Sequence, residues 1–382
     1  MAQVLPGLGP FRPLHLCSFA FNYSPLSDMA EPKQPIHIFH HSFTRGGGKE
    51  RYGLLLGSTF KEMGHPVTFH SVFVDDALAK ASGIEVRKVH IAQFPRKLID
   101  YRFFRKIESL RDQLNGILIT LSRVRARDLL ISGGNHRGYL SRARKLTGPF
   151  DLLQIWMENQ CYRFAKKIVA HSDLLAADLA RFYHLAPEKI VTLYPPMEAT
   201  FRPASTPEQR NELRRKFQFP NDKIVFLFPS KGHSRKGLKP ISRAMEQFSD
   251  QAILAVAGKP PSGTQPSFIR YLGYVDDIVS AYRAADFTIL GSYFEPFGLV
   301  GPESLLCGTR LVFEKDIGCL SAINPEFATT FSVWDRESIR SAIRSAINRA
   351  QKCEHRIPDT SRTLKYDPSP LVHAEALLGA VQ

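Results

Sequence analysis

Long apolar runs are missing from this 382-residue chain; none approaches the roughly 20 residues a helix needs to cross a bilayer. Cysteine is scarce too. Cys17, Cys161, Cys307, Cys319 and Cys353 make an odd number with no Cys-x-x-Cys spacing. That argues against a disulfide framework or a zinc site and leaves a reducing cytosol as the default compartment. The histidines show no metal-ligand spacing, and neither G-x-x-x-x-G-K-[ST] nor G-x-G-x-x-G occurs. Residues 1–34 are Pro-rich and lack the basic start and continuous apolar core of a signal peptide. They are expected to form a disordered tail, with Met29 as good a start as Met1. Acid is in short supply, with 36 Asp/Glu against 51 Lys/Arg. The imbalance concentrates between Arg87 and Lys145, where 15 Lys/Arg face 4 Asp/Glu. Such a surplus implies an anionic partner, either a membrane surface, a phosphorylated acceptor or nucleic acid; the plain alternative is a solvated basic face. No RNA- or DNA-binding motif is recognisable, so nucleic acid is not expected.

What is present is a strand–helix rhythm. Strands are expected at Ile36–His40, Val67–Val74, Leu129–Ser132, Ile168–His171 and Ile190–Tyr194, then at Ile224–Phe228, Ile253–Ala257, Phe287–Leu290 and Leu311–Phe313. Between them lie amphipathic stretches such as Tyr52, Leu55, Leu56, Thr59, Phe60 and Met63, spaced for one helix face. Alternation of this kind predicts an α/β chain with parallel sheets covered on both faces. The pair Pro195-Pro196 ends a strand firmly and divides two expected domains, 35–194 and 195–366, before a last helix, Leu371 to Leu378, within 367–382.

The stretch EPFGLVGPE holds two acids, Glu295 and Glu303, just after the run Phe287–Leu290. The loop tightens at Pro296 and Gly298, and a helix is expected near Gly301 and Pro302, since Pro is tolerated in a first helical turn. Both carboxylates then lie outside the carboxyl ends of the strands, where open α/β sheets bind ligands. Each can accept hydrogen bonds from a polyhydroxylated ligand. Gly46-Gly47-Gly48 follows the first strand and precedes a helix, giving backbone that can approach a ligand closely; a tight turn explains it equally. The second half opens alike with PSKGHSRKGL, where Lys231, Arg235 and Lys236 crowd around glycines. Those cations can neutralise a diphosphate without a metal, the alternative being a solvated basic loop. His136 sits on another strand-exit loop, either lining the cleft or structural.

Plainer readings cover the rest. His40 and His41 are expected to point apart on a strand, and Asp75-Asp76 and Asp276-Asp277 to mark turns or helix starts. Cys307 has no base partner and reads as helix packing. Tyr101, Phe104, Ile107 and Leu114 form an apolar stripe with Arg102, Arg105, Lys106 and Arg111 among them. It reads as a core-packed helix with a wet basic side, or as an interfacial helix on anionic lipid.

From about Ile36 to Gln382 these segments resemble glycosyltransferase family 4, the retaining nucleotide-sugar enzymes of the GT-B fold. The resemblance rests on GGGKERY, KIVAHSDLLAADLARFYHLAPEKIVTLYPP, SRKGL and, most specifically, AADFTILGSYFEPFGLVGPESLLCGTRLVF. It looks most like bacterial enzymes of lipopolysaccharide core or surface-glycan synthesis. The resemblance implies two Rossmann-like domains facing a cleft, with the last helix packing back on the first. It implies transfer of a hexose-type sugar from a nucleotide diphosphate sugar, UDP above all, to a glycan or glycolipid acceptor. No metal or other cofactor is implied, and the location implied is cytoplasmic, with peripheral attachment to the inner membrane as an extension.

By the same resemblance, Glu303 holds the nucleotide ribose and Glu295 faces the donor sugar. Backbone around Phe297, Gly298 and Leu299 binds its hydroxyls or the phosphates. Arg235 and Lys236, with Lys231, stabilise the leaving diphosphate. Gly47 and Gly48 approach donor phosphate and acceptor, and His136 lies near the anomeric carbon. Two departures stand out: Pro229-Ser230-Lys231 replaces a usual Gly-Arg, and Gly318-Cys319 replaces a Gly-Gly pair. A nucleotide-sugar epimerase of the same architecture, or a non-catalytic carbohydrate- or nucleotide-binding protein, are the competing readings.

Overall fold

The central strands, such as Ile36–Phe39, Ile117–Thr120 and Phe287–Leu290, are buried at every position, so side chains alternating to either side give both large sheets two apolar faces. In a computed structural model describing residues 33–230, 232–260 and 265–381, Ile36 and Ile38 pack with Leu56 and Phe60 on one side of the first sheet. Phe39, Leu118 and Leu130 pack with Phe104 and Met157 on the other. The second sheet repeats the division. Phe226, Phe228, Leu254 and Val256 face one layer, and Val225, Leu227, Ile253 and Ala255 the opposite one.

The first sheet has seven parallel strands, in the order Glu85–Lys88, Val67–Ser71, Ile36–Phe39, Ile117–Thr120, Leu129–Ser132, Lys167–Ala170 and Ile190–Thr192. The second has six, in the order Ile269–Gly273, Ala252–Ala257, Ile224–Pro229, Phe287–Leu290, Arg310–Glu314 and Ala328–Phe331. In both, the chain winds outward from its first strand, then restarts on that strand's other side. This leaves a crevice at the switch point, between Ile36–Phe39 and Ile117–Thr120 in one sheet and between Ile224–Pro229 and Phe287–Leu290 in the other.

In the two large sheets, four strands were absent from the expectation: Glu85–Lys88, Ile117–Thr120, Ile269–Gly273 and Ala328–Phe331. Three are sheet edges, where charge and polarity replace the apolar run; Glu85-Val86-Arg87-Lys88 is the plainest case. Val67–Val74 also splits. Val67–Ser71 stays in the large sheet, while Phe73–Val74 pairs with Ser42–Phe43 in a separate ribbon. The expectation that His40 and His41 diverge is overturned, because the chain leaves the sheet after Phe39. Both Nδ1 atoms reach Ser122 Oγ, at 2.9 and 3.2 Å.

Asp75 and Asp277 are N-caps, accepting from Leu78 and Ser280 N–H groups. The basic stripe becomes the helix Ile99–Glu108, which buries Phe103, Phe104 and Ile107 in the core; Leu114 lies beyond it. Asp286 organises the base of the second sheet, taking bonds from Arg214, Arg210, His355 and the Val225 N–H.

The chain crosses between the sheets twice. Tyr366 Oη donates to the Pro195 carbonyl at 2.8 Å, and Met197 N–H to that of Pro368 at 2.9 Å. The helix Pro370–Gly379 then returns to the first sheet's helix layer, burying Ala374 and Leu377 beside Leu56 and Phe60. Its His373 Nε2 meets Tyr52 Oη at 2.8 Å. The tail expectation over 1–34 falls, but for 33 and 34, outside the described residues, as do Met29 and Cys17. Among the described residues no helix is long and apolar enough to cross a membrane.

Candidate active site

Because both switch points face each other, the loops leaving four strands converge on one cleft of about 700 Å³. One wall comes from residues 46–49, Arg51, Tyr52, Leu121, Arg123 and residues 133–136; the other from Pro229, Ser230, Gly232, Arg235, Lys236, residues 294–300 and Glu303. The sequence-predicted residues Gly47, Gly48, His136, Arg235, Lys236, Glu295, Phe297, Gly298, Leu299 and Glu303 all line it. Lys231 lies outside the described residues.

The loop of the two acids is shaped by what surrounds it. Gly298 has φ +90°, a left-handed value that favours glycine. The following helix, Val300–Leu306, carries Pro302 and Glu303 in its first turn. Segment 317–319 pins the loop from outside: Gly318 N–H donates to the Glu295 carbonyl at 3.0 Å and Cys319 N–H to that of Phe297 at 2.7 Å. A Cβ on Gly318 would lie 1.8 Å from the Pro296 carbonyl oxygen. So Gly318 supplies the close approach while Cys319 is packing, its buried Sγ lying against Gly301. Ser172 Oγ, an N-cap on the opposite domain, donates to the Pro296 carbonyl and ties the loop across the cleft. Among the described residues, no protein acceptor takes the N–H groups of Phe297, Gly298 or Leu299, and all three residues line the cleft.

Glu303 is buried, yet its two oxygens are engaged from both domains. Arg51, from the helix Gly48–Glu62, pairs with Oε1, and Tyr282 Oη donates to Oε2 at 2.8 Å. Glu295 is less committed. Ser292 Oγ donates to it at 3.3 Å, and Arg235 Nη1 stands 3.8 Å away.

The cations sit on a loop that backbone bonds hold rigid. Gly291 N–H donates to the Lys236 carbonyl and Tyr293 N–H to that of Arg235, both at 3.1 Å. Gly237, at φ +79°, permits this contact, since a Cβ there would meet Gly291 O at 2.2 Å. Arg235 Nη1 donates to the Phe294 carbonyl at 3.1 Å, leaving the rest of its half-exposed fork free for a ligand. Burial lowers the Lys236 pKa, partly countered by Glu295. A cation so placed gains from an anion at its side.

On the facing wall, Asn135 caps the short helix His136–Arg142 through the Gly138 N–H. His136 Nε2 meets Asp151 Oδ1 at 2.7 Å, and its N–H donates to Glu158 Oε2 at 2.8 Å. Buried Glu158 also accepts from Arg123 Nε at 2.9 Å and from Tyr183. The imidazole is therefore already oriented by a carboxylate. Arg51, Tyr282, Asp151, Glu158, Arg123 and Lys49 were not singled out from sequence. Lys49 and Arg51 adjoin the glycine run, a signal that was available; the others meet the site only through the fold. Cys307 is buried at a helix end, and burial pushes its thiol up to about 12, consistent with packing. Among the described residues no group of His, Cys, Asp or Glu is placed to hold a metal.

Comparison with known proteins agrees with this geometry. A family model described as "Glycosyltransferase Family 4" matches residues 46–201, and one described as "Glycosyl transferases group 1" matches residues 209–362. The chain is 38% identical to a probable transglycosylase of Burkholderia thailandensis, over 87% of this chain and 93% of that protein. It is 30% identical to a D-inositol 3-phosphate glycosyltransferase of Thermobifida fusca, over 44% and 43% of the two. Among solved structures, WaaG, a glycosyltransferase involved in lipopolysaccharide biosynthesis, superposes with TM-score 0.71 at 15% identity, covering 91% of this chain and 95% of that one. Anabaena HepE in complex with UDP gives 0.70 at 16% identity, covering 91% and 99%. With two facing α/β sheets, a shared interdomain cleft and this sequence relationship, the chain belongs to the family 4 glycosyltransferases of the GT-B fold and is a glycosyltransferase.

Proposed function

We propose that this enzyme moves a hexose-type sugar from a nucleotide diphosphate sugar, UDP-linked, to a glycan or glycolipid acceptor with retention at the anomeric carbon. The observation that carries the reading is the paired arrangement on the second wall: two acids and two cations on adjacent strand-exit loops, with unpaired backbone donors between them. Glu303 accepts the ribose hydroxyls, Glu295 faces the donor sugar, and the N–H groups of Phe297, Gly298 and Leu299 hold hydroxyls or phosphate. Arg235 and Lys236 stabilise the diphosphate as the bond from the anomeric carbon to the phosphate oxygen breaks. Such preorganised charge commonly supplies the largest catalytic term. The acceptor oxygen bonds to the same face of that carbon, and its proton passes to the departing phosphate. Glu295 is then a donor ligand rather than a covalent nucleophile. The clamp uses protein cations in place of a metal ion. Gly47 and Gly48 bring backbone to the donor phosphates, and His136, oriented by Asp151, lines the acceptor side.

UDP is favoured because HepE, a fold neighbour, is held in complexes with UDP and with UDP-glucose. A surface-glycan acceptor is favoured because WaaG is involved in lipopolysaccharide biosynthesis, and a phosphorylated one because several relatives are named for D-inositol 3-phosphate. The surplus of cations between Arg87 and Lys145 suits an anionic acceptor or membrane surface. Thermal melting against UDP-, GDP- and ADP-sugars tests the donor, since a ligand of the folded state raises apparent stability by mass action. Release of free nucleotide only when acceptor is present separates transfer from epimerisation and from simple binding. Equal silence toward all three donors rejects the reading.

A further inference from the structure

One helix of the first domain turns an apolar face outward. Five of the ten large apolar side chains exposed among the described residues, Leu146, Phe150, Leu152, Trp156 and Phe164, fall within residues 146–164. Apolar residues scattered singly over a surface need no explanation, but a group this dense does. On the helix Pro149–Phe164, positions 149, 152, 153, 156, 160, 163 and 164 share one side. They read Pro, Leu, Leu, Trp, Gln, Arg and Phe, with no acid among them. Leu152 is 60% exposed, Trp156 42% and Phe164 39%. The opposite side carries Asp151 and Glu158, which hold His136, while Met157 and Cys161 pack in the core.

Cations border the outward face. The basic helix Ile99–Glu108 lies alongside, its Phe104 ring 5.6 Å from that of Trp156. It turns its own apolar residues inward and leaves Arg105 and Lys106 exposed. Arg105 stands 3.8 Å from Glu108, which also pairs with Arg125, and Arg125 reaches Gln160 on the apolar face. At the far end the Arg111 guanidinium lies 4.1 Å from the centre of the Phe164 ring, next in sequence to exposed Arg163. An apolar face bearing a tryptophan and bordered by arginine and lysine matches the boundary between acyl chains and anionic headgroups. A soluble anionic acceptor would use the charge and leave the apolar face in water.

We propose that the outward face of Pro149–Phe164 is a membrane-docking surface, seated in the headgroup layer of an anionic bilayer with Leu152 and Trp156 inserted and Arg105, Lys106 and Arg163 on the phosphates. It deepens the function proposed above: the charge surplus alone serves a soluble acceptor and a membrane equally, and the apolar face selects the membrane. Because Asp151 and Glu158 hold His136 from the same helix, docking sets the acceptor side of the cleft at the lipid surface.

The test uses the full chain carrying Trp334→Phe, which leaves Trp156 as the one tryptophan. Vesicles are phosphatidylcholine alone or mixed with phosphatidylglycerol. On mixed vesicles the protein is expected to co-sediment, and Trp156 emission to shift to the blue and be quenched by brominated acyl chains. Leu152→Ser/Phe164→Ser weakens binding about tenfold or more, from the apolar area left in water. Arg105→Gln/Lys106→Gln weakens it by a similar factor of about ten or more, and high salt does the same to the parent. Melting temperature, expected to hold because these positions are exposed, separates lost docking from a lost fold. Emission that vesicles do not move overturns the docking surface, as does binding that both double variants leave unchanged. Equal binding to pure phosphatidylcholine overturns the anionic bilayer. A blue shift that grows with protein concentration in the absence of vesicles assigns the face to a second copy and overturns the proposal too. No sugar donor enters this assay, so vesicle binding that fails leaves the nucleotide-sugar reading standing, and donor melts that fail leave the docking surface standing.

Discussion

Replacing Glu303 by glutamine separates a ligand from a structural strut. The wild-type carboxylate is buried between Arg51 and Tyr282 Oη, and the proposed donor brings two ribose hydroxyls to the same oxygens. Glutamine keeps one carbonyl acceptor and places an N–H where a second acceptor stood, against a hydroxyl or guanidinium that also donates. A hydrogen bond to a charged group contributes about 1.5–3 kcal/mol, so UDP affinity should fall by about 10- to 100-fold. The fold should suffer less. The Arg51 side chain is 37% exposed and can return to water, which discounts its loss to about 1 kcal/mol or below. Tyr282 retains an acceptor in the amide carbonyl. Titration calorimetry with UDP, beside a thermal melt of the same preparation, reads both quantities. UDP affinity within twofold of wild type would refute the ribose assignment. A melting point lowered by more than about 10 °C would show instead that Glu303 serves mainly to hold the domains, given about 2–4 °C per kcal/mol for large domains.

Other substitutions probe the supports. Gly318→Ala should displace the Glu295–Gly298 loop, because its Cβ would lie 1.8 Å from Pro296 O and 2.7 Å from Ser172 Oγ. We expect about 1–3 kcal/mol of overpacking and at least a tenfold loss of kcat/KM; unaltered turnover would show that the loop has slack. Asp286→Asn leaves Arg214 and Arg210 without their buried counter-charge and should cost about 3–5 kcal/mol in urea denaturation; a loss under about 1 kcal/mol contradicts the network. Burial alone would raise the Asp286 carboxyl, but the His355 bond and the charges of Arg214 and Arg210 outweigh it and hold it below the usual carboxylate range. Its contribution is therefore present above about pH 4 and lost on further acidification.

The buried histidines act at higher pH. Burial lowers His70 and His373 to about 4 and His171 to about 3. The unfolded chain, at about 6.5, thus takes up protons first. Stability should fall between pH 7 and pH 5, by about 2 kcal/mol for each such histidine. A denaturation midpoint independent of pH across that window would reject their neutral burial.

Residues that carry their own context were legible in the sequence. Phe287–Leu290 and Leu129–Ser132 are central strands, apolar on both faces and bounded by turn formers, so pattern alone locates them. Glu295 and Glu303 share one continuous motif, and the glycine and Arg235-Lys236 loops directly follow clear strands. Edge strands such as Glu85–Lys88 escaped because an edge needs no apolar run. Arg51 and Glu303 are 252 residues apart, and their pairing exists only once two separate sheets face each other. Glu158 reads as one more polar position on the helix Pro149–Phe164 until the fold sets Arg123, Tyr183 and the His136 N–H around it. His40 and His41 misled for a local reason: alternation applies within a strand, and the strand ends at Phe39. The Gly318-Cys319 departure loses its significance once the first glycine is seen to make the close contact and the cysteine only to pack.

The central claim is that a diphosphate binds between Arg235 and Lys236 at the mouth of the second sheet. Calorimetric titration of UDP into wild type and into Arg235→Ala/Lys236→Ala, both in EDTA, tests it most directly. The account predicts one site per chain in wild type without added metal, and affinity reduced by about 100-fold or more in the double variant. Equal binding by the two proteins, or binding by wild type only after a divalent cation is restored, would contradict it.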